Sequence, residues 1–411
     1  MPAMPLTDDP LEQQYSRWVY PEPLTSLRRV WQNCDPSLHQ QHYAYWPDRG
    51  YWPGMRILVA GCGSNQAANI AYRNPKAQVL GIDLSGPALD HERFLKDKYG
   101  LRNLAVEQIA IDQVAERNEA FDLIVTTGVL HHLPDPRGAL ARLAGLLAPH
   151  GVICVMVYGR YFRTGVYMLQ ELFRRLGLGQ TPEDVALVRA TLANLQPDHL
   201  LRNYMRAVED IRHDSGIVDT FLHTTDRAFT VDECLALVEG AGLRFQGWQE
   251  NSFYYPNGQV PADHPLFARL AALSERQLWA AMELHHGGCG RHEFFCCRAD
   301  RPEASFRLDF AGEGFFDLVP VRRITRFSEP DATRGRPAAI GRPPFPEISL
   351  SEPQLRLFRC IDGQRSVARC LADSGVLADD PDQLRSFVRE FFTSLWRLGY
   401  AQFRVPSLTP I

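Results

Sequence analysis

The most constraining feature of this 411-residue chain is an apolar run that breaks into a glycine turn. Ile57 to Ala60 are apolar, and Gly61 and Gly63 follow them directly. A stretch of small residues with helical spacing comes next, and a second apolar run ends at Asp83. Glycine lets a ligand approach the backbone closely, and a carboxylate accepts hydrogen bonds from vicinal hydroxyl groups. This succession is typical of an α/β sheet that binds a nucleoside ribose.

Strand-like and helical stretches alternate over residues 51–160. The predicted strands are Arg56–Ala60, Gln78–Asp83, Leu104–Ile109, Phe121–Thr126 and Val152–Tyr158. The predicted helices between them are Asn65–Asn74, Gly86–Tyr99 and Gly138–Leu147. This alternation predicts an α/β fold with a parallel sheet. Two further strands, Leu243–Trp248 and Glu293–Arg298, are candidates for a terminal antiparallel pair.

Changes in composition divide the chain into four predicted parts. These are an aromatic-rich cap over residues 1–50, a main domain over 51–300, two short strands and a linker over 301–348, and a last module over 349–411. Polar helical segments at about 160–230 and 251–290 are predicted to be insertions in the main domain. The short strands are Ser305–Phe310 and Phe315–Val321, and the linker is the stretch Ala332–Pro346, rich in proline and arginine.

Bulk composition narrows the class of protein. The net charge of −4 argues weakly against nucleic acid as the main partner, because phosphate binding favours a basic face. The nine cysteines are an odd number scattered through apolar segments, so we interpret Cys62, Cys154 and Cys296 as reduced core thiols. With no apolar signal region near Met1–Pro10 and no apolar run of membrane length, we expect a cytoplasmic protein.

The segment after the fourth predicted strand carries a family resemblance. It reads Leu130-His131-His132-Leu133-Pro134-Asp135-Pro136. Together with the glycine turn and Asp83, it resembles the class I S-adenosylmethionine-dependent methyltransferases, in particular bacterial enzymes with this motif. The resemblance is strong over residues 50–160 and moderate over 230–300. It implies a Rossmann-like seven-stranded sheet with helical insertions, and S-adenosylmethionine as the cofactor.

The resemblance also implies a set of cofactor-binding residues. In it, Gly61–Gly63 lie under the methionine and ribose, Asp83 binds the ribose hydroxyls, and Ile111 and Asp112 flank the adenine. The full set is Ala60, Gly61, Cys62, Gly63, Asn65, Asp83, Leu84, Ile111, Asp112, Thr127 and Gly128.

Two positions depart from the family pattern. Val59 stands where the family usually has an acidic residue, and Asn65 stands where it usually has a third glycine. We expect cofactor binding to survive, because asparagine tolerates positive φ and offers an amide group.

In methyl transfer the protein does not have to activate the methyl group, because the sulfonium of the cofactor has already activated it. The protein must align the nucleophile within about 3–3.5 Å of the methyl carbon, and a base is needed only when that nucleophile carries a proton. Candidate catalytic residues at the carboxyl edge of the sheet and in a covering loop are His131, His132, Tyr158 and His223. The alternative for the histidine pair is that it only shapes its loop.

Candidates for substrate contact are Tyr15, Trp18, Arg160, Arg163 and Asp219. The two arginines are suited to clamp a carboxylate or phosphate, or else are solvated charges. The two aromatic residues either cover the sulfonium or dock the N-terminal segment. Asp219 is suited to orient His223 as a base. The spacing of these groups fits no defined metal site, so no metal is predicted.

The last module resembles, in pattern only, the winged-helix peptide-recognition modules of peptide-modifying enzymes. Its predicted helices are Glu352–Cys360, Ser366–Ser374 and Pro381–Leu398, and a strand follows at Ala401–Val405. A peptide or protein partner and homodimerisation are the leading roles for it, ahead of nucleic acid. The predicted function is methyl transfer to a small molecule or peptide. The alternatives are a non-catalytic regulatory protein that binds the cofactor, and a nicotinamide oxidoreductase.

Overall fold

The computed structural model describes residues 10–28, 39–342, 345 and 347–406. The chain divides into two compact units. The first comprises residues 1–34, 52–245 and 287–299, and the second comprises residues 35–51, 246–286 and 300–411. The predicted four-part division stays a prediction.

A seven-stranded sheet carries the first unit, which confirms the predicted α/β Rossmann-like fold. Its strands are β1 (Arg56–Ala60), β2 (Gln78–Asp83), β3 (Leu104–Gln108), β4 (Phe121–Thr127), β5 (Leu147–Tyr158), β6 (Leu243–Trp248) and β7 (Arg291–Arg298). They lie in the order β3-β2-β1-β4-β5-β7-β6. The pairs from β3 to β5 are parallel, and β7 runs antiparallel to β5. The chain order reverses between β1 and β4, where α/β sheets leave a crevice for ligands.

The strand β5 begins earlier than predicted. Leu147 already pairs with Phe121, and regular pairing resumes only at Leu123 and Val152. The predicted turn at residues 148–151 is therefore an irregularity within the strand. The preceding helix correspondingly ends at Ala144, three residues before its predicted end.

Eleven described helices precede β6. They are α1 (Pro10–Arg17), α2 (His39–Tyr45), α3 (Gln66–Arg73), α4 (Gly86–Tyr99), α5 (Ile111–Ala115), α6 (Pro136–Ala144), α7 (Thr164–Arg175), α8 (Pro182–Ala193), α9 (Leu201–Ala207), α10 (Asp214–Phe221) and α11 (Val231–Gly240). Thr230 and Glu233 form a capping box at the start of α11. Helices α7 to α10 are the predicted insertion at 160–230, and they bury a hydrophobic cluster of their own that includes Phe173, Val188 and Phe221.

The second unit contains more regular structure than predicted. Its remaining elements are α12 (Pro265–Ala271), α13 (Glu275–His286), β8 (Val319–Arg322), β9 (Arg326–Ser328), β10 (Ala338–Gly341), β11 (Ile348–Leu350), α14 (Glu352–Arg359), α15 (Val367–Ser374), α16 (Pro381–Arg397) and β12 (Ala401–Arg404). The last three helices and the last strand agree with prediction. The predicted strand Ser305–Phe310 is wrong, because residues 306–309 have no sheet partner and only a 3₁₀ turn precedes them. The predicted linker at Ala332–Pro346 contains a strand that was not predicted, β10, which pairs with β9 before it and β11 after it.

The cysteines follow the prediction with one exception. Among the described residues, Cys62, Cys296 and Cys370 carry free, buried thiols. Cys154 is disulfide-bonded, so the prediction of a reduced thiol is wrong there. No described helix combines the length and the hydropathy needed to cross a bilayer.

A buried carboxylate fixes the helix that follows the glycine turn. Glu92 on α4 is fully buried, and its oxygens accept hydrogen bonds from the N–H groups of Ala67 (2.9 Å) and Ala68 (2.8 Å). These donors belong to the first turn of α3, where backbone N–H groups lack partners within the helix. Burial raises the pKa of Glu92 to about 8.

We predict that Glu92→Ala lowers the free energy of unfolding by about 2–4 kcal/mol, because two buried N–H groups lose their acceptor. Thermal and urea unfolding measure the change. Asp90→Ala is the matched control, since Asp90 is an exposed acid on the same helix. It should change stability by less than about 0.5 kcal/mol. Equal effects of the two substitutions would contradict the assignment.

The raised pKa of Glu92 also predicts a pH dependence. An unfolded glutamate titrates near pH ~4.3, whereas folded Glu92 titrates at about 8. The folded state therefore keeps a proton that the unfolded state loses. The contribution of Glu92 to stability is full below the lower pKa and is lost as pH rises through the upper one. The stability difference between the wild type and Glu92→Ala should shrink as pH rises between these values; a constant difference would refute this.

Candidate active site

A cavity of about 750 Å³ lies at the carboxyl ends of β1, β2 and β4. The turns after these three strands supply its floor. Its lining includes Pro10, Leu11, Tyr15, Tyr20, Pro21, Gly61, Cys62, Gly63, Asn65, Gln66, Asp83, Leu84, Ile111, Asp112, Thr127, Gly128, Val129, His132, Leu133, Met156, Tyr158, Thr224 and Thr225. Ten of the eleven predicted cofactor residues are in this set. Ala60 is not, and its side chain is fully buried at the end of β1.

The first turn requires glycine at two positions, because neighbouring atoms lie very close to its backbone. Gly61 has φ of +75°, and a Cβ atom there would lie 2.2 Å from Cγ2 of Val129. Gly63 has φ of +57°, and its Cβ atom would lie 2.8 Å from Cδ of Pro21. Both positions combine a left-handed backbone with a neighbour too close for a side chain.

Asp83 fastens the end of β2 to the glycine turn. Its carboxylate accepts hydrogen bonds from the N–H of Gly63 (2.8 Å) and the N–H of Ser85 (2.9 Å). Burial raises the pKa of Asp83, and these two backbone donors oppose that shift. The carboxylate is thereby held at the cavity wall, where it can accept further hydrogen bonds from a ligand.

The N-terminal segment covers the cavity. The hydroxyl of Ser85 donates to the carbonyl of Tyr15 at 2.8 Å, and the hydroxyl of Ser64 donates to the carbonyl of Pro21 at 2.8 Å. These bonds hold Tyr15 over the cavity. Trp18 does not line the cavity and instead packs against the hydrophobic cluster of the insertion helices.

A buried carboxylate joins two tyrosines at the far end of the cavity. Asp219 on α10 is buried, and its oxygens accept hydrogen bonds from the hydroxyls of Tyr15 (2.8 Å) and Tyr158 (3.2 Å). Burial raises the pKa of Asp219 and of both tyrosines. The two predicted contact residues and the predicted catalytic tyrosine thus meet at one group.

Three buried histidines lie beside Asp219 and its tyrosine partners. The rings of His132 and His223 stack with centroids 3.9 Å apart, and the ring of His131 lies 3.9 Å from that of Tyr158. Burial lowers the pKa of His132 and of His223 to about 4 each, and lowers that of His131 as well. All three imidazoles are therefore neutral at pH 7. His132 lines the cavity, whereas His131 and His223 stand behind it.

The two predicted substrate arginines are engaged elsewhere. Arg160 forms a surface ion pair with Glu233 at 2.7 Å. Arg163 is buried, donates to Tyr204 at 2.9 Å, and stacks its guanidinium 3.6 Å from the ring centre of Tyr158. Neither of these two arginines lines the cavity, so neither is placed to clamp an acceptor there.

Sequence reasoning missed Asp226. Its Oδ2 accepts hydrogen bonds from Arg163 (3.1 Å) and from Gln170 (2.9 Å). Its Oδ1 lies 3.8 Å from Nδ1 of His132. The available signal was its position three residues after His223 in the covering loop.

Two sets of these side chains have spacing that a metal ion would accept. They are His131, His132 and Asp226, and His132, Asp219 and His223, with ligand atoms within 4.8 Å of one another in each set. The guanidinium of Arg163 lies 3.1 Å from Asp226 and opposes a cation at the first set. In the second set, Nδ1 of His223 already accepts the N–H of Thr225 at 3.0 Å. The predicted absence of a metal stays a prediction.

Comparison with known proteins adds independent information. A family model described as "Methyltransferase domain" matches residues 58–153. The uncharacterized protein syc1184_c of Synechococcus is 28% identical over 388 residues, which cover 91% of this chain and 86% of that protein. Trans-aconitate 2-methyltransferase of Deinococcus radiodurans is 37% identical over 27% of this chain and 40% of that enzyme.

Solved structures also resemble most of the chain. One of them is PKMT2 from Rickettsia typhi in complex with AdoHcy, which has a TM-score of 0.63 and 15% identity and covers 90% of this chain and 76% of its own. The chain spans less than half the length of the named D. radiodurans methyltransferase. The matched segment, 58–153, runs from β1 into β5 and contains the glycine turn, Asp83 and the histidine pair. Residues 58–153 therefore match a methyltransferase domain model, and the chain shares the fold of the R. typhi protein.

Proposed function

We propose that this protein binds S-adenosylmethionine in the cavity and transfers its methyl group to a small molecule or a peptide. The observation that carries the proposal is the convergence of the Gly61–Gly63 turn, Asp83 and the Thr127–Gly128 turn on one cavity. The AdoHcy complex of the R. typhi protein, which shares the fold, supports it.

The cofactor's orientation follows from the chemistry of the lining. Asp83 is suited to the ribose hydroxyls, because its carboxylate is already fixed by two backbone donors. Ile111 and Asp112 line the adenine side. Thr127 and Gly128 would then lie beside the sulfonium, in the cavity that Tyr15 and Tyr158 also line. The covering N-terminal segment excludes water from the reacting atoms.

The acceptor occupies the space between Tyr15, His132 and Tyr158. A cavity of about 750 Å³ is within the range of small-molecule sites. Displacement at the methyl carbon is direct: the acceptor's electron pair forms the new bond, and the sulfur takes the electrons of the broken one. The residues named here position the acceptor and, where it carries a proton, accept that proton.

For the last module we propose a recognition role toward a peptide or protein, or a homodimer contact, in a cytoplasmic protein. The arginines of α16 are engaged inside the second unit. Arg389 donates to the carbonyl of Gly312 at 3.0 Å, and Arg397 stacks over Tyr255 at 5.1 Å. Because these arginines already have partners, they are poorly placed to bind phosphate. This supports a peptide, a protein or a second copy of the chain as the partner, ahead of nucleic acid. The winged-helix likeness rests on the helix–helix–helix–strand order and on the pairing of β12 with β8.

The alternatives are separated by two measurements. Calorimetric titration with AdoHcy and with NAD tests the cofactor, and NAD binding alone would favour an oxidoreductase. Transfer of labelled methyl from S-adenosylmethionine to phenols, carboxylic acids, amines and peptides tests catalysis. AdoHcy binding without transfer to any of these would favour the non-catalytic regulatory protein.

We predict that Asp83→Ala weakens AdoHcy binding about ten- to a hundredfold, because charge-assisted hydrogen bonds worth about 1.5–3 kcal/mol are lost. Isothermal titration calorimetry measures the dissociation constant. Asp90→Ala removes an exposed acid from the following helix and serves as the control, with no change expected. Unchanged affinity in folded Asp83→Ala would remove Asp83 from the site.

We predict that Gly61→Ala weakens AdoHcy binding at least about tenfold, because the new methyl group collides with Val129. The double variant with Val129→Ala should regain part of the affinity, since the collision is relieved while about 1–2 kcal/mol of left-handed strain remains. Gly50→Ala is the control, as no atom lies within 4 Å of a Cβ there. A double variant no better than Gly61→Ala would show that the collision is not the cause.

A further inference from the structure

The two carboxylate oxygens of Asp226 differ in their hydrogen bonding. Its side chain is fully buried, and Arg163 and Gln170 both donate to Oδ2. Oδ1 has no hydrogen-bond partner among the described residues, and neither has Nδ1 of His132, which lies 3.8 Å away. Buried polar atoms in native proteins nearly always have partners, so we expect a hydrogen atom to lie between Oδ1 of Asp226 and Nδ1 of His132.

The other ring nitrogen of His132, Nε2, faces a carboxylate that already has hydrogen-bond donors. Its Nε2 lies 3.8 Å from Oδ1 of Asp219, but that oxygen already accepts the Tyr15 hydroxyl, and Oδ2 accepts Tyr158. Each oxygen of Asp219 thus already has a donor, whereas Oδ1 of Asp226 has none among the described residues. The neutral ring is expected to carry its hydrogen on Nδ1, which leaves the Nε2 lone pair on the Tyr15 side, toward the acceptor end of the cavity.

We infer that Asp226 is a positioning residue that sets the tautomer of His132, so that Nε2 of His132 accepts the proton of an uncharged hydroxyl or phenol as it is methylated. This inference rests on the proposed function. In the step, the acceptor oxygen forms a bond to the methyl carbon, and the carbon–sulfur electron pair goes to sulfur. The O–H proton passes to Nε2 and then to solvent.

The class of acceptor follows from the charges at the site. Of the described residues that line the cavity, the carboxylates are Asp83 and Asp112, both on the nucleoside side, and none is lysine or arginine. An anionic acceptor thus meets no counter-charge among these lining residues, and a cationic one meets none at the acceptor end. A neutral amine attacks through a free lone pair and needs no base, whereas a hydroxyl gains from one. The weak basicity of buried His132 suffices, since the oxygen becomes strongly acidic as the new bond forms.

A competing occupant is a metal ion or a water molecule between Asp226 and the two histidines of the motif. Arg163 beside Asp226 disfavours the metal. A water molecule there would leave the tautomer open, because water can donate to both Oδ1 and Nδ1, and the wild-type spectrum separates the two cases.

The test reads the tautomer directly by long-range ¹H–¹⁵N correlation on the histidine-labelled full chain, with His132→Gln and His131→Gln used for assignment. In the wild type we expect the His132 hydrogen on Nδ1. In Asp226→Asn, Arg163 and Gln170 hold the amide oxygen at the Oδ2 position, so the NH₂ group faces Nδ1 and the hydrogen moves to Nε2. Asp214→Asn, an exposed acid on α10, should leave the tautomer unchanged.

Three results would overturn the inference. They are a wild-type hydrogen on Nε2, an Asp226→Asn spectrum in which only His131 changes, and a stoichiometric metal by elemental analysis. Because the wild-type spectrum decides on its own, a misfolded variant does not suspend the test. The measurement is made without cofactor, so failure of AdoHcy to bind would defeat the proposed function and not this result.

The acceptor class is tested on the AdoHcy complex with three matched probes: phenol, benzoate and benzylamine. Phenol should shift the Nε2 resonance of His132 in the wild type and shift it less than half as far in Asp226→Asn. A larger shift with benzoate or benzylamine, or no shift with phenol, would refute the hydroxyl class.

Discussion

Pairing of β1 between β2 and β4 is the constraint on which the rest of the site depends. All three strands are parallel, so their carboxyl ends reach one edge, and the glycine turn, Asp83 and the histidine motif follow them there. The hydrogen bond between the Asp83 carboxylate and the Gly63 N–H ties two of these ends together. The close approach of Gly61 to Val129 ties the first to the third. The cavity is therefore a consequence of strand order, and the turns that line it are linked to one another.

The acceptor end depends on a second, independent structure. Asp219 and Asp226 come from α10 and the loop after it, and α10 is held by the hydrophobic cluster of the insertion helices. Buried charges persist only when they are paired, and here Arg163 pairs with Asp226 while two hydroxyls satisfy Asp219. The sheet thus supplies the proposed cofactor site, and the insertion supplies the buried polar groups beside it.

Sequence reasoning succeeded where structure depends on neighbours along the chain. Apolar runs predicted β1, β2 and β6 at their observed bounds. It failed where partners are distant: β10 exists because two other strands flank it, and Glu92 caps a helix that begins 26 residues earlier. Arg163 was predicted to contact substrate or to be a solvated charge, and Asp226 was missed, because their mutual burial is visible only in three dimensions.

Charge balance determines what the acceptor end tolerates. A protonated imidazole about 4 Å from a sulfonium would be repelled by about 4 kcal/mol at an effective dielectric of about 20. Burial prevents this by lowering the pKa of His132 and of His223 to about 4, which keeps both rings neutral at pH 7. A neutral ring also keeps a lone pair for a proton released in the reaction. Desolvation, which weakens a histidine as a base, is thus the condition under which a cationic cofactor and a basic side chain share one cavity.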